Sequence, residues 1–438
     1  MRMKEIESRI WRWGIGLVVV MYATTALLFV WRTPPWQAPD EPAHFNYVRH
    51  VAETGLPPVL TADCYDQAYL DELKATHFPP DKPIDSICYE AHQPPLYYAL
   101  AAPVYRLAVW VGVNPLYAVR LFSAFLGLGV IFMTWRLAVL VFPSEPLIPL
   151  AAAGLSATLP MHVAMLSVVN NDGLAELVLT ANVWYALRVL RAPVVQRRAW
   201  VAQGLLLACA LLTKTTAYVA LPLVVGALFW AYRRHDRRVR YESLGLVLVS
   251  ALVLAAPWFV RNAVVYGNGD ITGLARHDAI VVGQPRTAEW VAELGVARTL
   301  KRLVFTTFHS FWGQFGWMAA PLPSNVYSLL WALTLLAVVG LLLYARFGVP
   351  RPAFPESVWV LLAWMSLTVG GFLWYNLTFV QHQGRYLFPA LPAVALFTVL
   401  GWREWIAPRY QWLALGLVLW WLWWLAVWSA WVILPGLG

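Results

Sequence analysis

Pro34-Pro35-Trp36-Gln37-Ala38-Pro39-Asp40-Glu41-Pro42-Ala43-His44-Phe45-Asn46-Tyr47 follows the first long apolar segment directly. It sets two adjacent carboxylates and a histidine beside a membrane surface. Asp40 or Glu41 can cap a short helix with Pro42 in its first turn, and Gly55, Pro57 and Pro58 can end it. In such a helix Asp40 and His44 lie near one another at the start. Two readings stand at this point. Asp40 is only an N-cap and His44 an interfacial side chain, or both belong to a site.

Outward from this stretch the chain reads as a polytopic membrane protein. Of its 438 residues 60% are hydrophobic and 13% charged, with 26 tryptophans and a mean hydropathy of +0.59. Apolar runs long enough to cross a bilayer recur near 13–31, 118–141, 147–168, 173–190, 200–216, 218–232, 243–260, 326–345, 356–376, 386–402 and 411–433. The net charge of +9 does not point to nucleic acid, because the arginines sit in short loops between these runs, where they set orientation. The basic segment before Trp13 leads into the first run with no small-residue cleavage site, which fits a retained helix.

The apolar stretch 94–113 contains Pro103 and Arg106. If it does not cross, the N-terminus and the arginine loops at 188–198, 233–240, 346–351 and 403–409 all fall on the cytoplasmic side. It is therefore expected to be juxtamembrane or re-entrant, with eleven full spans. Two large non-cytoplasmic regions remain, 32–94 and 262–325. The first holds ten of the 23 acidic residues and two of the three cysteines. In an oxidising compartment Cys64 and Cys88 can pair, and the pairing is favoured over two free thiols.

Several polar residues then fall at the outer ends of spans: Asp172, Lys214, Arg261 and the pair Arg385-Tyr386. Each alone reads as a cap or a snorkelling side chain. Together they favour a shared cavity, because ionisable groups near a bilayer are costly unless paired or functional. Asp40, Glu41, His44, Glu90 and His92 offer carboxylates and imidazoles for a general base or a divalent cation, the latter at Asp40, Glu41 and His92. Lys214, Arg261 and Arg385 suit a phosphate. The first loop leaves beside span one and returns at Glu90-Ala91-His92-Gln93-Pro94, so its ends can face each other, with Glu90, Gln93 and Asp172 lining the cavity. No P-loop, zinc-type spacing or nucleophile elbow occurs.

Pro-Asp-Glu-Pro-Ala-His-Phe, His-Gln-Pro-Pro-Leu-Tyr-Tyr, Asn-Asn-Asp, Leu-Thr-Lys-Thr-Thr, Pro-Trp-Phe-Val-Arg-Asn and Gln-Gly-Arg-Tyr-Leu-Phe-Pro occur in that order. In order and topological side they resemble the GT-C glycosyltransferase superfamily, which includes the protein O-mannosyltransferases and the aminoarabinose transferases. The likeness is closest to a branch of predicted membrane proteins with a Gln-Gly-Arg-Tyr signature. It implies an all-α polytopic membrane protein: one GT-C-like domain over residues 1–438, about eleven transmembrane helices, and two large extracytoplasmic loops bearing juxtamembrane helices. It also implies inverting sugar transfer from a polyprenyl-phosphate donor to an acceptor hydroxyl on a lipid, glycan or protein, at the outer face of the cytoplasmic membrane, with the N-terminus inside.

By that resemblance Asp40 matches the acidic residue proposed as base, with Glu41 its neighbour and His92 orienting the site; the residues themselves add His44 in support and Arg385, Tyr386, Lys214 and Arg261 toward the donor phosphate. His92-Gln93-Pro94 stands where the aminoarabinose transferases have Glu-Lys-Pro, so a metal site of their kind and a lysine contact there are not carried over. The soluble C-terminal domain of some relatives is not expected, since the chain runs out soon after the eleventh apolar run. The competing class is a transporter or lipid flippase, whose charges should scatter or sit near the midplane. The discriminator is where Asp40, Asp172 and Arg385 lie: together at one outer cavity for transfer, scattered for transport.

Overall fold

Helix α1 (Arg2–Arg32) ends at the Pro34-Pro35 turn, and from there the chain is a series of helices with one two-residue hairpin. The computed structural model describes residues 2–193, 195–267 and 269–437, with side chains from Trp11 onward. The charged N-terminal residues read above as part of an orientation signal therefore lie largely outside the described side chains.

The first loop holds α2 (Glu41–Thr54) and α3 (Gln67–Ala75), then leads into α4 (Leu96–Val111). Next come α5 (Pro115–Val141), α6 (Leu147–Thr158), α7 (Pro160–Leu166), α8 (Asp172–Arg191), α9 (Arg197–Leu211), α10 (Ala220–Ala231) and α11 (Arg237–Tyr266). The second loop carries α12 (Leu274–Ile280), α13 (Thr287–Leu294), α14 (Val296–Trp312) and the hairpin strands β1 (Gln314–Phe315) and β2 (Ala320–Pro321). The chain closes with α15 (Ser324–Phe347), α16 (Glu356–Asn376), α17 (Leu391–Arg403) and α18 (Gln411–Trp428).

Among the described residues eight helices are long and apolar enough to cross a membrane, or nine if α6 and α7, bent by 69°, form one span. The expected eleven included runs at α9 and α10, which have 15 and 12 residues. At 1.5 Å per residue α9 is about 22 Å long, short of a hydrocarbon layer of about 30 Å. Yet Lys214, just beyond α9, reaches Asp172 at the start of α8, so α9 and its exit turn run back the length of α8. Dropping the two short helices together leaves the parity of every other segment unchanged.

Helix α4 is amphipathic, with Leu107, Val109, Trp110 and Val111 exposed on one face. Its first amide donates to the Leu212 carbonyl (2.9 Å) at the end of α9. It delivers the chain to the start of α5, where Tyr117 stacks on Trp31 of α1 (4.9 Å between centroids). Both ends of α4 thus lie at the end of the bundle where α1 finishes.

Apolar side chains gain little by leaving lipid for one another, so close packing must hold the spans together. At the α15–α17 crossing a Cβ on Gly340 would come 2.0 Å from the Gly401 carbonyl oxygen, and one on Gly401 would come 1.9 Å from that of Ala337. The C-terminal tryptophans divide their tasks. Trp420, Trp424 and Trp431 keep about half their surface exposed, while Trp423 donates to the Met21 carbonyl of α1 (3.1 Å).

Candidate active site

Pro42 sits in the first turn of α2, and Gly55, in the left-handed region at φ 77°, ends it by donating to the Val51 carbonyl. The helix is tied to the loop exit. Asn46 donates to the carbonyls of Ile84 (2.6 Å) and Ile87 (2.9 Å), and the Tyr47 hydroxyl donates to that of Gln93 (3.1 Å). Tyr47 stacks on Tyr98 of α4, 3.5 Å between centroids. The two ends of the first loop therefore face each other. Cys64 and Cys88 form a disulfide, with Cα atoms 4.5 Å apart.

Glu41 does not face the cavity. Its carboxylate is fully buried and held by both arms of Arg120, with Nε at 2.7 Å and Nη2 at 2.6 Å. It also accepts from the Val169 and Trp36 amides. The other Arg120 donors go to the carbonyls of Val30, Thr33 and Pro34. The expected catalytic role for Glu41 is corrected accordingly: its oxygens are committed to joining α1, α2, α5 and the α7–α8 turn. Arg120 was missed, although an arginine inside the apolar run 118–141 was a signal.

Asp40 points the other way. It occupies the N-cap position of α2 without a side-chain capping bond, and its φ of 66° is unusual for a residue with a side chain. One carboxylate oxygen accepts from the Tyr89 hydroxyl (2.7 Å) and the other pairs with Arg385. Burial pushes the Asp40 carboxyl up, but Arg385, the nearby His44 and the bonds from Arg385 and Tyr89 outweigh it and hold it down at about 2. Asp40 is thus a carboxylate at neutral pH, while its side chain keeps 21% exposure.

Arg385 lies in a 3₁₀ turn (Gly384–Ala390) leading into α17. Gly384 is required because this turn lies on the backbone of α14. A Cβ there would come 2.3 Å from the Phe311 nitrogen and 2.4 Å from the Thr307 oxygen. The Gly384 amide donates to Ser310 Oγ (2.8 Å). Arg385 Nη2 serves Asp40 and lies 3.5 Å from the Tyr386 hydroxyl, whereas its buried Nε has no partner among the described residues.

A second ion pair adjoins the first: Lys214 Nζ is 2.5 Å from an Asp172 oxygen. Asp172 also interacts electrostatically with Arg385, and Glu90 with both Lys214 and His44. Burial alone would lower the Lys214 ammonium, but Asp172 and Glu90 reverse this and raise it. His44 is buried with Nδ1 2.8 Å from the Tyr98 hydroxyl, and burial lowers its proton affinity. Burial, with His277 adding, holds His92 at about 3. His92 Nδ1 is 3.0 Å from the Tyr89 carbonyl and its ring lies 4.3 Å from that of His277. Both imidazoles are therefore neutral at pH 7. Gln93 links the His92 ring to Asn171.

Asp40, Arg385, Tyr386, Asp172, Lys214, Glu90 and His44 come together. Arg261 does not join them. Its guanidinium donates to the carbonyls of Pro57 and Pro58 and to Asn262 and Tyr266, pinning the first loop to α11. The metal set Asp40, Glu41 and His92 is also not formed. Among the described residues no three His, Cys, Asp or Glu side chains are grouped to hold an ion, and Glu41 is turned toward Arg120. Besides Arg120, two further polar features escaped the sequence reading. Tyr89 is one. The other is a buried pair, His162 and Glu176 (2.8 Å), beneath Asp172, with the His162 ring against Phe388.

Residues 84–394 match the DUF2142 family, described as predicted membrane proteins. No curated protein matches the chain by sequence. Among solved structures, ArnT from Cupriavidus metallidurans bound to undecaprenyl phosphate is similar, at 16% identity and a TM-score of 0.51 over 92% of this chain. ArnT in the apo state gives 17% and 0.52, again over 92%. The chain spans 63% of the length of each of those two structures. The likeness is one of fold: this chain has the all-α polytopic membrane architecture of those two structures.

Proposed function

The chain belongs to the DUF2142 family of predicted membrane proteins, and from that premise we propose that it is an inverting glycosyltransferase. It would move a sugar from a polyprenyl-phosphate donor to an acceptor hydroxyl at the outer face of the membrane. The observation that carries this reading is the Asp40–Arg385 pair, a carboxylate and a guanidinium with donors to spare. The gathering of Asp172, Lys214 and Glu90 beside it supports a single cavity rather than the scattered charges of a transporter. Undecaprenyl phosphate bound to the structurally similar ArnT supports a lipid-phosphate donor.

In this mechanism Arg385 receives the donor phosphate through its unpartnered Nε and its fork. The negative phosphate then offsets the charge that holds Asp40 at low proton affinity. Burial, the largest influence on Asp40, next pushes its carboxyl upward. Donor binding so converts a weak base into a stronger one. The acceptor O–H bond breaks, its proton passes to Asp40, and the oxygen forms a bond to the anomeric carbon. On the opposite face the carbon–oxygen bond to phosphate breaks, and the lipid phosphate leaves with the electron pair. Charge develops as in glycoside hydrolysis, so nearby carboxylates stabilise the cationic sugar. Lys214, held by Asp172, lies beside the leaving phosphate. A divalent metal ion has no assigned ligands in this scheme.

The test is binding of undecaprenyl phosphate to the full chain in nanodiscs. Arg385→Lys keeps the charge but loses the fork, and affinity should fall by about tenfold or more. Equal affinity in both proteins would sink the assignment. Mass spectrometry of envelope glycans from a deletion strain should then reveal the missing sugar.

A further inference from the structure

An open cleft of about 680 Å³ lies between the first loop and the Val282-Gly283 turn of the second, and neither Asp40 nor Arg385 is among its lining residues. That volume is typical of a small-molecule site. Its walls are the segment from Ala62 through α3 to Tyr69 and, facing it, Ser86 at the loop exit. A narrow recess continues from it and is lined by Tyr65, Tyr69, Ser86 and then Tyr89. Tyr89 is the residue whose hydroxyl rests on Asp40. The recess is only about 10 Å³, no larger than a water, so the Tyr89 ring stands between the cleft and the carboxylate proposed as base.

The lining is rigid. The Cys64–Cys88 disulfide staples the two walls together. Tyr65 meets Tyr89 edge to face at 5.6 Å, and the Tyr69 hydroxyl is fixed by donating to the Pro83 carbonyl (2.7 Å). Burial raises the Tyr65 phenol to about 12, with a hydrogen bond from Gln284 opposing, so the second loop also reaches this ring. Two tyrosine rings held in place offer flat apolar faces with polar groups around them.

The charge of the lining narrows the occupant. Its charged members are Asp63 and Asp66, and Asp66 is engaged in capping α3 through the Tyr69 amide. The nearby Lys74 and Lys82 are paired with Asp71 and Glu72. Among the described residues the lining holds no cation for a phosphate or carboxylate, and Asp63, whose carboxylate already accepts from Thr61 and its own amide, is too little for a basic peptide. Ring faces with hydroxyl and carboxylate partners match a neutral sugar, whose C–H faces stack and whose hydroxyls hydrogen-bond.

We propose that this disulfide-stapled cleft seats a neutral carbohydrate acceptor, with Tyr89 between the bound sugar and Asp40. The proposal rests on the transferase reading above and supplies its acceptor class.

Saturation-transfer NMR on the nanodisc-embedded full chain tests it, with maltotetraose, xylotetraose and chitotetraose as neutral probes and tetragalacturonate and tetralysine as charged ones. At least one neutral tetrasaccharide should give signal. Ala68→Trp and Ser86→Trp, filling the cleft from its two walls, should each cut that signal fivefold or more at an unchanged melting temperature. No signal from any neutral probe, signals indifferent to both plugs, or a stronger response to either charged probe overturns the proposal. Undecaprenyl phosphate binding, measured in parallel, should be untouched by either plug. Its absence alongside sugar binding would remove the transferase reading and leave the cleft a carbohydrate site. Intact lipid-phosphate binding without sugar binding would remove the cleft alone.

Discussion

The Glu41–Arg120 and Asp40–Arg385 pairs begin at adjacent residues and meet different surroundings. In the first both side chains have 0% exposure, and every Arg120 nitrogen has a partner. In the second the carboxylate keeps 21% exposure and the guanidinium retains a donor without a partner. A buried pair with complete hydrogen bonding locks a local structure, and its net stabilisation is small because desolvation opposes the attraction. A pair with donors left over can exchange one partner for another. Adjacent carboxylates thus separate into a fixed anchor and an exchangeable one.

Breaking the anchor should have the largest effect. Arg120→Met leaves the Glu41 carboxylate buried and unpaired, a loss of about 3–5 kcal/mol. The expected outcome is little folded protein on size exclusion and a strongly lowered melting temperature. Accumulation at wild-type levels with an unchanged melt would place Glu41 elsewhere. Joint replacement, Glu41→Leu with Arg120→Met, should recover part of the loss.

Asp40→Asn should do the reverse. Asn keeps the size and can still meet Tyr89 and Arg385, so the melt should move little. Transfer should fall by about 10²–10⁴-fold, the range of general base catalysis, with undecaprenyl phosphate still bound. Near-normal transfer would move the base to another group.

The acid limbs of the pH–rate profiles sharpen the exchange idea. Asp40 is lowered from 3.8 to about 2, so the stabilisation from its pair is complete above about pH 4 and is lost as pH falls toward 2. The kcat/KM limb due to Asp40 should share that low value, because it reports the free enzyme. The kcat limb, reporting the donor-bound enzyme, should lie roughly one unit or more higher. Coincident limbs would mean that donor binding leaves the pair intact.

The most local change is expected from Cys64→Ser with Cys88→Ser. Opening a loop of 24 residues' separation removes about 3 kcal/mol of restraint in the chain-entropy view. The effect should stay in the first loop, as faster amide exchange around α3, while the anchored spans keep their protection. Uniform loss of protection throughout would show that the loop and bundle unfold as one unit.

Much of this was legible in the sequence because apolar length and charge placement act locally. Most of the spans (though not the two short helices α9 and α10), the facing ends of the first loop and the polar residues at one end of the bundle follow from such patterns. Glu41 and Arg120 lie 79 residues apart, and nothing nearby marks which of two adjacent carboxylates turns inward. Arg261 was read as a phosphate ligand from its charge. Its donors are taken by the Pro57 and Pro58 carbonyls, and backbone oxygens leave no mark in a sequence. Gly384 lies against the backbone of α14, a neighbour visible only in three dimensions.

The disulfide also bears on how the protein is made. Cys64 and Cys88 pair only where the surroundings are oxidising, while Cys209 stays free within the bundle. A molecule whose first loop reaches the oxidising side, as the proposed orientation requires, therefore keeps one alkylatable thiol after denaturation, and one inserted the other way keeps three. The bridge is a covalent record of insertion direction, and a mass-tag gel shift could sort correctly delivered chains from inverted ones in a crude membrane extract.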